Sequence, residues 1–477
     1  MKIFGFDLNN ARFINANLIL FFALLQKSAS VLLLPLYTRY MNPEQYGILA
    51  VCITFSILSW LIPFLSLQDA VYFSTLEKKK EQSEVLGIAF AFEGLITSVG
   101  LILLGIIWSF VPNRSIFGIP WYPYLFFTLV GGPFFIFLHT CLEYLRAAER
   151  MKEYSTLNFS FFIVLTSFTI YFLIVDEMKA FSFVLANLIT NILFAVISVF
   201  WLRKDITWTL KPSLLISCLK FSIPLVPHNV CFWVKSSADR IILSSFISSE
   251  VAGIYHIAVS YSQPLFLGVT SFASANNPRF FGLINEKNNE KKITDALDFS
   301  MGIFVIGALF MSFFSREALH LFTTPGFYSA EKYIPFILSG VLFFLIYSNI
   351  IQLIYHKKES HTLPLISFTA ITISTLISIP LVKYFSIEGI AVSNIIANAL
   401  LAFFVFNRCQ KIMPLPWPIK RAVILCFFPL VPLLINSWIS SMGNLGQIII
   451  KSTCFFLMTY LLYNFHIRHT SFVSKRI

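Results

Sequence analysis

Leu18-Ile-Leu-Phe-Phe-Ala-Leu-Leu25 runs into Gln26-Lys27, then into Val31-Leu-Leu-Leu-Pro-Leu36. The polar turn Thr38-Arg39-Tyr40-Met41-Asn42-Pro43-Glu44-Gln45-Tyr46-Gly47 follows, and the chain then becomes apolar again. About 20 apolar residues cross the hydrocarbon core of a bilayer. This stretch therefore reads as a membrane helix, a tight corner and the start of a second helix. Lys27 falls in the middle of the first. A lysine at the bilayer centre costs about 2.5–3.5 kcal/mol on insertion scales, so a compensating role is expected for it.

Working outward, the same pattern fills the chain. Of 477 residues 57% are hydrophobic and only 12% charged, about half the charged fraction of an ordinary soluble domain. Fourteen apolar spans are expected, near 16–38, 48–67, 85–110, 121–145, 158–175, 181–202, 219–243, 251–273, 296–314, 333–355, 363–382, 389–406, 420–438 and 445–465. The runs are too long, and alternate too little, for a β-barrel, so helices must satisfy the backbone in lipid. The net charge of +12 is scattered over short loops, so no nucleic-acid partner is implied. With the N-terminus inside, 25 of the 35 Lys and Arg residues fall in inside segments, 6 outside and 4 within spans. That split favours an even number of spans with both termini cytoplasmic.

The seven cysteines form no C-x-x-C pair, and no metal site is expected. No nucleotide-binding loop, H-E-x-x-H or nucleophile elbow is present, so neither a catalytic residue nor a cofactor is expected. The run near Leu18 lacks a small-residue cleavage site and is followed by another span, as in an uncleaved signal anchor.

The chain also repeats itself. Glu44-Gln-Tyr-Gly47-Ile48 recurs as Glu250-Val-Ala-Gly253-Ile254, 206 residues on, and Lys152-Glu153-Tyr-Ser-Thr156-Leu157 recurs as Lys358-Glu359-Ser-His-Thr362-Leu363 at the same offset. Asn187-Leu-Ile189-Thr-Asn191-Ile-Leu193 recurs as Asn394-Ile-Ile396-Ala-Asn398-Ala-Leu400 at 207. The unit is six spans, so the repeats run parallel. The expected architecture is an all-α polytopic membrane protein of about 14 transmembrane helices. It has two pseudo-symmetric six-helix lobes (1–205 and 206–411) around a central cavity, plus two extra C-terminal helices (412–477) after the linker Met413-Pro-Leu-Pro-Trp-Pro418.

The repeat gives Lys27 a counterpart, Lys235, mid-span in the seventh helix. Two cavity-facing lysines would bind an anionic group; the competing reading is snorkelling to the interface. Gln26 adjoins the first lysine. Asp239 lies one turn after Lys235 and can pair with it, while Arg240 suits a bidentate phosphate clamp or an interfacial position. Glu93, inside the third span, is a candidate for a coupling ion or for pairing with a lysine. Asp69, at the inner end of span 2, is either a further coupling carboxylate or interfacial. His228 sits between Pro227 and Asn229, with Pro224 one turn earlier, and reads as a site in a broken helix or as a packing hydrogen bonder. The Asn187/Asn191 and Asn394/Asn398 pairs read as polar glue within a lobe. The charged connector Arg146–Glu153 reads as solvated surface.

The segments Pro35-Leu-Tyr-Thr38-Arg39-Tyr40-Met-Asn-Pro43-Glu44-Gln-Tyr46-Gly47, Leu145-Arg146-Ala-Ala-Glu149-Arg150 through Tyr154-Ser155, and Ser237-Ala-Asp239-Arg240-Ile-Ile-Leu243 with Ala252-Gly253-Ile254-Tyr255 resemble the Wzx-type O-antigen and polysaccharide flippases. These belong to the multidrug/oligosaccharidyl-lipid/polysaccharide exporter superfamily. At Val71-Tyr72-Phe73 the chain departs from the resemblance, which would place an arginine after span 2. The resemblance implies a bacterial inner-membrane flippase for an undecaprenyl-diphosphate-linked oligosaccharide, with membrane lipids and other polysaccharide-assembly proteins as further partners. Two other readings remain at this point. A multidrug cation antiporter of the same superfamily should favour acidic cavity residues and twelve spans. An O-antigen polymerase or ligase should carry a large external loop.

Overall fold

A computed structural model describes residues 2–3, 6–7, 33–77, 81–110, 114–209, 211–285, 290–356, 363–439 and 444–464. Gln26, Lys27 and most of the first expected span lie outside the described residues. The described part of that span forms α1 (Leu34–Tyr40). Next come α2 (Pro43–Leu61), α3 (Leu67–Leu76) and α4 (Gln82–Trp108). They are followed by α5 (Trp121–Ala147), α6 (Met151–Ile174), α7 (Ala180–Trp201) and α8 (Pro212–Phe246). The second half holds α9 (Ser249–Asn285), α10 (Glu290–Phe313), α11 (Ser315–Phe322), α12 (Ile334–His356) and α13 (Leu363–Ile412). Two final helices are α14 (Ile419–Asn436) and α15 (Asn444–Leu462). Among the described residues, 11 helices are long and apolar enough to cross a membrane. The chain is a multi-pass membrane protein.

One of the eleven is two spans joined. α13 has 50 residues, about 75 Å of helix at 1.5 Å per residue, more than twice the hydrocarbon thickness. Ser386 breaks it with φ 51° and ψ −122°. Lys179, 207 residues earlier, holds φ 49° and ψ −129° at the start of α7. The break in α13 is thus the repeat of the α6–α7 junction, in backbone as well as in sequence. The expected span 251–273 lies within α9, which is 37 residues long.

The corner before α2 follows from its residues. Asn42 is extended, and its side chain accepts from the Gln45 N–H at 2.9 Å; Pro43 takes the first helical position and Glu44 the first turn. Each choice favours a helix N-terminus. Ser248, 206 residues on, caps α9 the same way by accepting from the Val251 N–H at 3.2 Å.

By compactness the chain divides within α9, into residues 1–253 and 254–477. In the first unit α8 lies on α2, where the Trp233 indole donates to the Thr54 carbonyl at 3.1 Å. A core of Leu86, Phe90, Leu138, Cys141, Leu145 and Leu157 joins α4, α5 and α6. Asn191 donates to the Gly131 carbonyl at 3.1 Å and to Asn187 at 2.8 Å, and the Ser56 hydroxyl reaches Asn187 at 3.3 Å. These amides tie α7 to α5 and α2, as expected of polar glue. Asn191→Ala should lower stability by about 1 kcal/mol, read as a downward shift in the thermal unfolding midpoint of purified protein. In the second unit α12 is buried along its length, with Leu338, Leu342, Ile350 and Ile354 at 0% exposure.

The connector expected to be plain solvated surface is more ordered than that. Arg150 grips Glu153 through two bonds, at 2.8 and 2.7 Å, and reaches Asp205 at 2.7 Å; the Trp201 indole joins Glu153 at 2.7 Å. A planar guanidinium matches such a fork, and the network pins the α5–α6 corner to the end of α7. Lys211 adds an ion pair with Glu84 at 2.6 Å.

Candidate functional site

The polar residues of the first unit gather where two helices are interrupted. α2 ends at Leu61, and Leu65 and Ser66 then take positive φ of 54° and 55° before α3 begins. α8 is interrupted by a 3-10 turn at Ile223–Leu225, around Pro224 and just before Pro227. Where the prolines lead one to expect a broken helix, the backbone stays right-handed helical through the turn, and the prolines only tighten it locally. The two interruptions meet. Asn229 donates to the Ser66 hydroxyl at 3.0 Å and to Asp69 at 3.4 Å. His228 is next to it, with its ring 4.9 Å from that of Phe232.

Beside this pair lies the end of α5. Arg146 pairs with Glu143 and holds its guanidinium 4.6 Å from the centre of the Tyr72 ring. Its charge also acts on Asp69. An arginine therefore covers Tyr72, at the place where the family resemblance leads one to expect an arginine in the chain itself. Asp69, Asn229, Glu143 and Arg146 thus bring planar hydrogen-bonding groups together from three helices, α3, α8 and α5. Glu143, Arg146 and Asn229 carry no distinguishing mark in the sequence: Arg146 lies in a charged connector, Asn229 adjoins His228, and the prolines of α8 are the one signal near them.

The other candidate residues occupy separate places. Lys235 is partly buried on α8, and its charge interacts with that of Asp239 one turn on. Arg240 is 7% exposed and donates to the Ser236 carbonyl of its own helix. Glu93, on α4, is fully buried at 0% exposure. It accepts from the Thr140 hydroxyl of α5, and its second oxygen has no hydrogen-bond partner among the described residues. The partner found for Glu93 is thus a hydroxyl. Among the described residues, no group of three or more His, Cys, Asp or Glu side chains is placed to hold a metal ion.

The architecture is thus one of membrane-crossing helices interrupted at polar, proline-marked points. The same fold is found in the lipid II flippase MurJ in an inward closed conformation. That match has a TM-score of 0.71 and 16% identity, covering 95% of this chain and 99% of that one. It is also found in a multidrug resistance MATE family transporter of the MOP superfamily in an inward-facing conformation. There the TM-score is 0.58 and the identity 11%, over 84% of this chain and 95% of that one. The chain belongs to the polysaccharide biosynthesis protein family, whose model matches residues 15–284. It is 23% identical over 406 residues to the "Lsg locus putative protein 1" of Haemophilus influenzae, covering 81% of this chain and 95% of that protein.

Proposed function

We propose that the chain is a lipid-linked oligosaccharide flippase. It carries undecaprenyl-diphosphate-linked O-antigen or polysaccharide repeat units from the cytoplasmic to the periplasmic leaflet of a bacterial inner membrane, by alternating access. Both termini are cytoplasmic in this reading. The family match over residues 15–284 carries it, and a fold shared with a lipid II flippase supports it. Lys27 and Lys235 neutralise the diphosphate, with Gln26, His228 and Arg240 as further contacts. The cluster of Asp69, Asn229, Glu143 and Arg146 suits sugar, because planar polar groups bridge neighbouring hydroxyls. Glu93 is the foremost coupling-ion carboxylate, with Asp239 and Asp69 as the others. Its unpartnered, buried oxygen supports that role, since a buried carboxylate needs a proton, a cation or a donor.

The test is complementation of a flippase-deficient bacterium that makes a defined repeat unit. Lys27→Ala and Lys235→Ala should each reduce surface polysaccharide by at least about tenfold, equivalent to about 1.4 kcal/mol or more, at normal protein level. Lys→Arg should retain part of it. Full surface polysaccharide in the double alanine variant would remove the lysines from the substrate path. Glu93→Gln keeps an acceptor for Thr140 and removes the titratable group. It should give normal protein levels but transport in vesicles that no longer responds to a proton or sodium gradient. A response equal to that of the unsubstituted protein excludes Glu93 as the coupling site.

A further inference from the structure

Each unit carries an open apolar groove, and the two share one wall through the repeat. In the first unit the groove encloses about 540 Å³ between α5, α7 and the segment after α7. In the second it encloses about 410 Å³ between α12, the later arm of α13 and the start of α14. Five positions of α7 line the first and five of α13 the second, and every one is matched at an offset of 207. Ile192, Val196 and Val199 thus become Ala399, Phe403 and Phe406. The facing walls keep the same i, i+3 spacing: Phe134 and Phe137 in one, Phe343 and Ile346 in the other.

The chemistry is the same in both. The walls are almost wholly aliphatic and aromatic, and each groove has one cation in its lining: Arg203 beyond the end of α7, Lys420 beyond the end of α13. Arg203 is exposed and lies 4.1 Å from the Phe200 ring centre, which holds the guanidinium at the rim. Lys420 is exposed as well. Wall residues of both grooves are open to the surroundings, with Val196 at 67% and Phe403 at 57% exposure. In a membrane-spanning chain, apolar surroundings of that kind are lipid. An apolar trough ending in one cation fits a molecule with an apolar chain and an anionic head. Both volumes fall within the range of about 300–1,000 Å³ typical of small-molecule sites.

We propose that the two grooves are binding sites for anionic glycerophospholipid of the membrane, its acyl chain along α7 or α13 and its phosphate on Arg203 or Lys420. Duplication by the repeat suits a lipid present in bulk, since a substrate moved one molecule at a time needs a single route. The sites are independent of the residues assigned to the substrate.

The full-length protein, purified in detergent, is titrated with phosphatidylglycerol or phosphatidylcholine and bound lipid is counted by native mass spectrometry. Two phosphatidylglycerol molecules should bind, each preferred over phosphatidylcholine by about fivefold, the attraction expected of one cation near an anionic head. Arg203→Ala should remove the preference at one site and Arg203→Ala with Lys420→Ala at both, while Arg203→Lys keeps it. Val196→Trp fills the first groove and leaves its cation in place, so one bound lipid should be lost. Equal binding of the two lipids, or an unchanged preference in the double variant, overturns the proposal. So does full binding in Val196→Trp, which would reduce the effect to surface charge, or displacement by equimolar undecaprenyl phosphate, which would make the occupant the substrate's carrier.

Discussion

Leucine at Gly253 should destroy the crossing of α2 with the start of α9 and leave little monodisperse protein after extraction. Leucine at Gly47 should do the same. The reason is a reciprocal backbone contact. A Cβ built on Gly47 would lie 1.7 Å from the Ser249 carbonyl oxygen and 3.0 Å from the Gly253 nitrogen. One built on Gly253 would lie 2.0 Å from the Pro43 carbonyl oxygen and 2.9 Å from the Gly47 nitrogen. Pro43 and Ser249 are themselves repeat partners, 206 apart, as are the two glycines. The atoms in the way are main-chain carbonyls, so no rotamer change relieves the clash and the helices must move apart.

Within lipid, helices associate through close packing and polar contacts, because lipid tails are as apolar as leucine. Separating this crossing forfeits the packing that the small residues permit. Overpacking in a tight interior costs about 1–3 kcal/mol, and alanine at either position falls in that range, with leucine above it. Gly47→Ala and Gly253→Ala press on one contact, so their effects should be less than additive, since the second substitution enters a gap opened by the first. Thermal unfolding of the two single variants and the double variant measures this. An alanine variant at Gly253 with unchanged stability would show that the helices do not approach so closely.

These glycines illustrate how far the sequence could be read. Their motif was visible as a repeat at 206, and so were the caps and the span positions, because hydropathy, capping chemistry and repetition are local properties. That the two copies of the motif lie against each other was not visible, because the contact is between main chains and leaves only two glycines as its trace. The same limit hid the site. Asp69 and His228 were selectable one by one as ionisable groups inside apolar runs. The meeting of Asp69 with Asn229 rests on the left-handed backbone at Leu65 and Ser66 and on the 3-10 turn in α8. Pro63 and Pro224 signal an interruption without setting its direction. For Glu93 burial was legible from its position in an apolar run, but its partner was not. A hydroxyl such as Thr140 carries no charge pattern by which it can be recognised among the apolar residues around it.

Lys451→Met should lower stability by about 3 kcal/mol, and Lys451→Met with Glu317→Leu should recover most of that loss. Lys451 is 1% exposed on α15, and its ammonium lies 2.7 Å from Glu317 at the start of α11. One turn away the Arg316 guanidinium donates to Gln447 at 2.9 Å. The two links fasten the final helix to the α10–α11 corner. Glu317 keeps 30% exposure for its side chain, yet its second carboxylate oxygen is buried and has no hydrogen-bond partner among the described residues. Removing the lysine leaves that charge largely desolvated, and breaking a buried pair costs about 3–5 kcal/mol. The partial exposure places this one at the low end. Replacing both partners removes the stranded charge together with the bond, and exchange of a buried pair for apolar residues is often neutral. The unfolding midpoints of the two variants in one detergent decide the matter. A double variant as unstable as the single would mean that the pair contributes attraction beyond its mutual neutralisation. An unaffected single variant would mean that water reaches Glu317 and screens it.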